Sequence, residues 1–253
     1  MQIEVRRVEY RDVEPMRGLY RAELNCQIIH DSFLARGLSD PYLILVDGRL
    51  AGYGAVSNKY GKGRLNEFYT APRARGLALP MFRELLAVSE ATHIETQTNS
   101  PLMLLMLFDC GANVTAENVL FHDGFTTDLT CTRAVFRPEK DQWAIEADGA
   151  IVAGGGILCH YNPPYGDIYM DVVETERRKG FGSYIVQELK RVCYEIGKKP
   201  SARCNADNLA SRRTLEKAGM LPCGRLLVAE VRPLFATPGH VPEHVLVTRA
   251  EHE

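Results

Sequence analysis

The chain has 253 residues, room for one large domain or two of ordinary size. Apolar residues make up 45% and charged residues 25%, the balance of a soluble globular protein, which excludes disordered, collagen-like and repeat-fibre classes. Lys and Arg number 30 against 32 for Asp and Glu, so the chain lacks the basic excess that phosphate-backbone binding demands and no nucleic-acid partner is expected.

The longest apolar candidate for a membrane span, residues 102–108, is far too short and runs straight into Asp109, so no membrane partner is expected. The first residues carry charges with no apolar core behind them and read as no secretory signal. Seven cysteines are scattered without a C-x-x-C pair, which suits reduced thiols and a cytoplasmic location. The seven histidines show no metal-ligand spacing; His240 and His244 lie four apart, but Pro238, Gly239 and Pro242 argue against a helix there, and no metal is expected.

In chain order, residues 3–8 predict a strand and helical segments fall between Val13 and Arg36. A hairpin follows, with strands 42–46 and 50–56 joined by Asp47-Gly48, and a third strand over 65–71 runs into the turn Arg73-Ala74-Arg75-Gly76-Leu77-Ala78. A helix, a short strand over 94–98 and an apolar helix from Pro101 come next, ended by Gly111 and suited to burial against another domain. The grammar then repeats. Strands 143–147 and 151–158 flank Asp148-Gly149, strand 167–173 runs into Arg177-Arg178-Lys179-Gly180-Phe181-Gly182, and a helix near Ser183 carries the stripe Ile185, Leu189, Val192, Ile196. Strand 202–205 and a helix ended by Gly219 close the second half. This order reads as an internal duplication, with the best boundary at Arg137-Pro138-Glu139-Lys140-Asp141. The expected domains are 1–137 and 138–236, followed by a tail over 237–253.

The turn Arg177-x-x-Gly180-x-Gly182 between strand and helix is the chemical centre. Two glycines let successive main-chain N–H groups point one way, the helix adds its positive end, and Arg177, Arg178 and Lys179 stand by to neutralise an anion of pyrophosphate size. No G-K-[ST] ends the turn, and no third glycine completes a dinucleotide fingerprint. Downstream lies Asn205-x-x-Asn208-x-x-Ser211-x-x-x-Leu215-x-Lys217-x-Gly219-Met220.

These two linked motifs resemble the acetyl-CoA-binding core of the GNAT superfamily of N-acetyltransferases over residues 143–231. The resemblance implies an α/β (α+β) fold, a mixed central sheet flanked by helices, in tandem. It also implies acetyl-CoA as cosubstrate, and direct transfer of its acetyl group to the primary amine of a small-molecule or peptide acceptor; a homodimer is compatible with it. By the same resemblance, main-chain groups of Val172, Val173 and Glu174 pair with the pantetheine arm. The turn from Arg177 through Arg178, Lys179, Gly180, Phe181, Gly182 and Ser183 holds the pyrophosphate. Asn208 bonds the arm, and Ser211 sits near the thioester or the phosphates.

Strand alternation puts Asp167, Tyr169, Asp171 and Val173 on one face and Ile168, Met170 and Val172 on the other. Asp171 is the first candidate for general base or ammonium recognition, ahead of Glu174 and Asp167. Many family members place a Tyr where this chain has Leu215, so the pattern supplies no general acid. In the first half Arg73-x-x-Gly76-x-Ala78 formally fits the phosphate motif, but Pro80 removes an N–H and Asn99 is out of register with Asn208. A degenerate copy that walls the substrate cleft is expected, against the rival of a second CoA site. Two alternatives to acetyl transfer stand beside the main reading: a non-catalytic acyl-CoA-binding or sensing module, and transfer of a different acyl group.

Overall fold

A computed structural model describes residues 1–23, 27–28, 30–132, 134–160 and 163–233. The expected tail, with His240 and His244, lies outside the described residues. The first half comprises β1 (Ile3–Arg7), α1 (Tyr10–Glu23), α2 (Asp31–Ala35), β2 (Ser39–Val46), β3 (Arg49–Ser57), β4 (Arg64–Thr70), α3 (Ala78–Ser89), β5 (His93–Gln97), α4 (Pro101–Cys110) and β6 (Gly111–Asp123). The second comprises β7 (Ala134–Glu139), β8 (Gln142–Ala147), β9 (Ala150–Leu158), β10 (Tyr165–Val172), α5 (Phe181–Glu195), β11 (Lys199–Asn205), α6 (Leu209–Lys217) and β12 (Met220–Val231). The mixed α/β class and the doubled element order are those expected.

Local chemistry explains the punctuation. Asp47 and Gly48 have φ of 48° and 73°, and Asp148 and Gly149 have 49° and 81°, so both hairpins turn through two left-handed residues. Gly219, at φ 84°, ends α6 in the same region. Gly111 behaves differently from the expectation. It is extended (φ −100°, ψ 156°) and opens β6, and a Cβ there would sit 2.5 Å from the Leu107 carbonyl oxygen. Close approach, not backbone handedness, requires glycine at that position.

The described strands form one twelve-stranded sheet in the order β1-β2-β3-β4-β5-β12-β6-β11-β10-β9-β8-β7. The two halves therefore exchange their last strands. β12, the end of the second half, pairs antiparallel with β5 of the first, and β6, the end of the first, pairs antiparallel with β11 of the second. β6 and β12 pair with each other at the centre. The exchange extends to the cores: Leu227 and Ala229 of β12 pack with α3 and α4, while Val119 and Phe121 of β6 pack with α5. The expected boundary falls inside a hairpin, because Arg137 and Pro138 belong to β7 and pair with Ala144 and Trp143 of β8.

Two helix faces depart from their periodicity. On α5 the buried face runs through Ile185, Val186, Leu189 and Cys193, while Ile196 is exposed. On α4, Met103, Met106, Leu107 and Cys110 are buried but Leu105 and Phe108 face outward, so the apolar helix is covered on one side only. α1 packs Val13, Met16 and Tyr20 on the opposite face of the sheet, against Tyr53 and Tyr69. Among the described residues the second half has no counterpart of α1 and α2, since β7 leads directly into β8.

Candidate active site

The site lies where β10 and β11 part. The strands run parallel and pair from Tyr165↔Lys199 to Ile168↔Ala202. β10 then continues to Val172 beside β9, and β11 to Asn205 beside β6, with no further rung between them among the described residues. A fork opens past Ile168 and Ala202. The Val173 N–H donates to the Val152 carbonyl at 3.0 Å, so alternation turns the amides of Val173, Asp171 and Tyr169 towards β9 and those of Val172 and Met170 into the fork. The expected trio divides accordingly. Val172 faces the fork, with its carbonyl accepting from Arg177 Nε at 3.2 Å. Val173 is committed to β9, and Glu174 begins a single 3-10 turn, Glu174–Glu176.

After that turn the backbone passes through two left-handed residues, Arg178 (φ 65°) and Gly180 (φ 96°), into α5. The helix starts at Phe181, two residues earlier than its sequence suggests, and no side chain caps it. The amides of Phe181, Gly182 and Ser183 have no acceptor within the helix, and its positive end points outward with them. The two glycines act differently. Gly180 supplies the positive φ and has open space around it, whereas a Cβ on Gly182 would meet Thr214 Cγ2 at 3.0 Å and crowd α5 against α6.

A cavity of about 700 Å³ opens in front of this turn, and its wall carries Arg177, Arg178, Arg213 and Lys217 against Asp171 and Glu176. Arg213 and Lys217 were not among the expected ligands. Their spacing of four on α6, whose start is set by Asn208 accepting from the Ser211 N–H at 3.0 Å, puts both on the face that meets the turn. Lys179 is outside the wall, with its ammonium 2.9 Å from Glu176. The Phe181 ring is buried in the second core, so this residue offers the cavity only its main chain.

A second cavity of about 200 Å³ adjoins the first, sharing Met170 and Ser211 with it. Ile168, Val172, Ala202 and Cys204 pack in the core beneath α5, so Asp167, Tyr169 and Arg203 stand on the opposite face. The smaller cavity is lined by Val186, Ser211 and Leu215 on the helix side and by Asp167, Tyr169 and Arg203 on the other, and so passes through the sheet at the fork. Asp167 is buried, with Oδ2 3.3 Å from Arg203 Nε. Burial pushes its carboxyl above the usual carboxylate range and outweighs the opposing pull of Arg203. Asp171 instead belongs to the larger cavity, its side chain 89% exposed and 3.8 Å from Arg177 Nη2. Leu215 is buried in the inner wall, so no proton donor stands at that position. Burial raises the Cys204 thiol despite a hydrogen bond with Ser211, which disfavours a nucleophilic thiolate.

The first half repeats the fork and closes it. β4 and β5 pair only at Arg64↔His93 and Leu65↔Ile94 before parting. Past that point Asn66, Glu67, Phe68, Tyr69 and Thr70 are all buried. Arg17 of α1 donates to both carboxylate oxygens of Glu67, at 3.0 and 2.8 Å, and the Tyr53 hydroxyl donates to the same carboxylate at 2.8 Å. The Ile28 N–H donates to Gln97 Oε1, and Gln97 Nε2 returns a bond to the Ile28 carbonyl. The turn corresponding to residues 177–182 is a 3-10 helix, Pro72–Leu77, in which Gly76 has no positive φ. Its arginines are engaged elsewhere: Arg73 donates to the Leu50 carbonyl and Arg75 pairs with Glu23.

Among the described residues no group of three or more His, Cys, Asp or Glu side chains is arranged to hold a metal ion, and no helix is long and apolar enough to cross a membrane. Residues 114–220 match the model of the acetyltransferase (GNAT) family. Solved structures share the fold along nearly the whole chain. An acetyltransferase from the GNAT family of Colwellia psychrerythraea superposes with a TM-score of 0.74 at 14% identity, covering 90% of this chain and 100% of its own. A tandem GNAT protein from the clavulanic acid biosynthesis pathway gives 0.60 at 13% identity, over 92% and 100%. A GCN5-related N-acetyltransferase from Sphaerobacter thermophilus gives 0.58 at 16% identity, over 91% and 96%. No curated protein matches the sequence.

Proposed function

Because residues 114–220 form a domain of the GNAT acetyltransferase family, we propose that the second half of this chain transfers the acetyl group of acetyl-CoA to a primary amine. The observation that carries this reading is the pair of joined cavities, one before an uncapped helix terminus ringed by cations and one running through the sheet at the fork. The donor set fits the cosubstrate. The main-chain amides of Phe181, Gly182 and Ser183 with Arg177, Arg178, Arg213 and Lys217 would hold its diphosphate, while the fork-facing amides of Met170 and Val172 and the side chain of Asn208 would pair with its arm. When bound, acetyl-CoA supplies an activated thioester.

Asp167 takes the proton of the acceptor ammonium in this reading. It lines the inner cavity, and its raised carboxyl sits closer to the working pH than an ordinary aspartate. Asp171, the first choice from sequence, is better suited to charge balance beside Arg177. Attack is direct, because the Cys204 thiol is buried and held protonated. The six described cysteines are all free, in keeping with a reducing, cytoplasmic setting.

Calorimetry with acetyl-CoA and a thiol-release assay over a panel of primary amines test the proposal together. Binding accompanied by amine-dependent thiol release is expected. Binding without release from any acyl-CoA would favour the sensing module, and faster release from longer acyl-CoA than from acetyl-CoA would replace the acetyl group.

A further inference from the structure

The acceptor-side mouth of the inner cavity holds two opposite charges, not one. Asp167 precedes the last rung of the fork on β10, Arg203 is the first residue beyond it on β11, and both face away from α5 and α6. Arg203 Nε lies 3.3 Å from Asp167 Oδ2, and both side chains line the cavity beside Tyr169. A simple alkylamine arriving as its ammonium would find Asp167 favourable and the neighbouring guanidinium repulsive. An acceptor that also carries an anion answers both. A guanidinium has five N–H donors in a rigid fork, so Nε can hold Asp167 while the same group meets an incoming carboxylate. The closeness of the pair also sets the acceptor's own spacing: its amine and its anion must be neighbours, not opposite ends of a long chain.

Resting on the acetyl-transfer reading above, we propose that the acceptor is an α-amino acid, its amine directed at Asp167 and its carboxylate at Arg203. The side chain of such an acceptor would leave the mouth past Tyr169, on the face where, among the described residues, the second half has no counterpart of α1 and α2. The inner cavity is small, about 200 Å³, so glycine, whose amine sits on an unbranched carbon, should lead the series and turnover should fall as the side chain grows.

The experiment compares three sets of acceptors at fixed acetyl-CoA: the standard α-amino acids, their amides, and the corresponding decarboxylated amines, with ethanolamine phosphate as an anion of different geometry. KM for the best amino acid should be roughly 10- to 100-fold lower than for its amide or amine, the worth of a charge-assisted hydrogen-bonded pair. Arg203→Gln should raise KM for the amino acid by a similar factor and abolish the preference over the amide, and Arg203→Lys should restore part of it. Unchanged acetyl-CoA affinity in both variants certifies an intact site. Equal or better turnover of the amides or amines, a preference for ethanolamine phosphate, or no turnover of any amino acid by a chain that binds acetyl-CoA overturns the assignment. Only the last of these, extended to all amines, also overturns acetyl transfer.

Discussion

The two forks of this sheet start from the same topology and end in opposite states. In each, parallel strands pair for a few residues and then part ahead of a turn and a helix. In the first half the chain fills the opening with its own groups: Arg17 and Tyr53 on Glu67, the main chain of Ile28 on Gln97, and Phe82 of α3 edge-on against Phe68. In the second half Tyr169 and Asp171 remain exposed beyond the fork, and a cavity runs through it. The turns diverge in the same direction. Left-handed Arg178 and Gly180 leave three helix-terminal amides facing outward, while the 3-10 winding of Pro72–Leu77 draws its amides into its own turns. One fork has become a structural seam and its copy has stayed open.

Four substitutions sharpen or break that contrast, beginning with the largest effect. Asp167→Asn, at the open fork, should lower turnover by about 10²–10⁴-fold with acetyl-CoA affinity retained. The sign of the pH effect follows from burial. A raised carboxyl must lose its proton before it can act as base, so the acid limb of the rate profile should stand above the ordinary aspartate range and vanish in the variant. A persisting limb with near-normal turnover would remove Asp167 from the chemistry.

Glu67→Gln, at the closed fork, should cost about 3–5 kcal/mol, since it strips the buried Arg17 of its carboxylate partner. Denaturant unfolding measures the loss, and a change below about 1 kcal/mol would mean that the seam is held chiefly by its apolar contacts. Gly180→Asp should weaken acetyl-CoA binding at least ~100-fold, by placing a like charge before the helix terminus on a backbone that side chains rarely adopt. The matched Gly76→Asp, exposed and free of positive φ, should change it by no more than about twofold. Equal losses at the two positions would assign cosubstrate binding to both halves.

Much of this architecture was legible before folding because its signals are local. The Asp-Gly pairs, Gly180 before α5 and Asn208 at the start of α6 each answer to a backbone conformation or an unpaired amide within a few residues. Gly111 shows where such reading misleads: a glycine after a helix signals a left-handed cap, but here it admits the backbone of α4 and a side chain of β12. Arg213 and Lys217 were not legible, because nothing in a basic helix tells which face will meet a turn thirty or so residues upstream. Asp167 and Asp171 differ in depth along a single strand face, which alternation does not encode.

By itself the sequence determined the element order, the duplication, the position of the glycine turn before α5 and the strand face bearing the carboxylates, because these follow from side-chain period and backbone allowance. Tertiary structure alone decided that β6 and β12 change places between the halves, that Ile28 and Arg17 close one fork, and that Asp167 meets Arg203 at the mouth of the other. Such outcomes are set by contacts between residues far apart in the chain, where the competing partners are distinguished only by packing and desolvation.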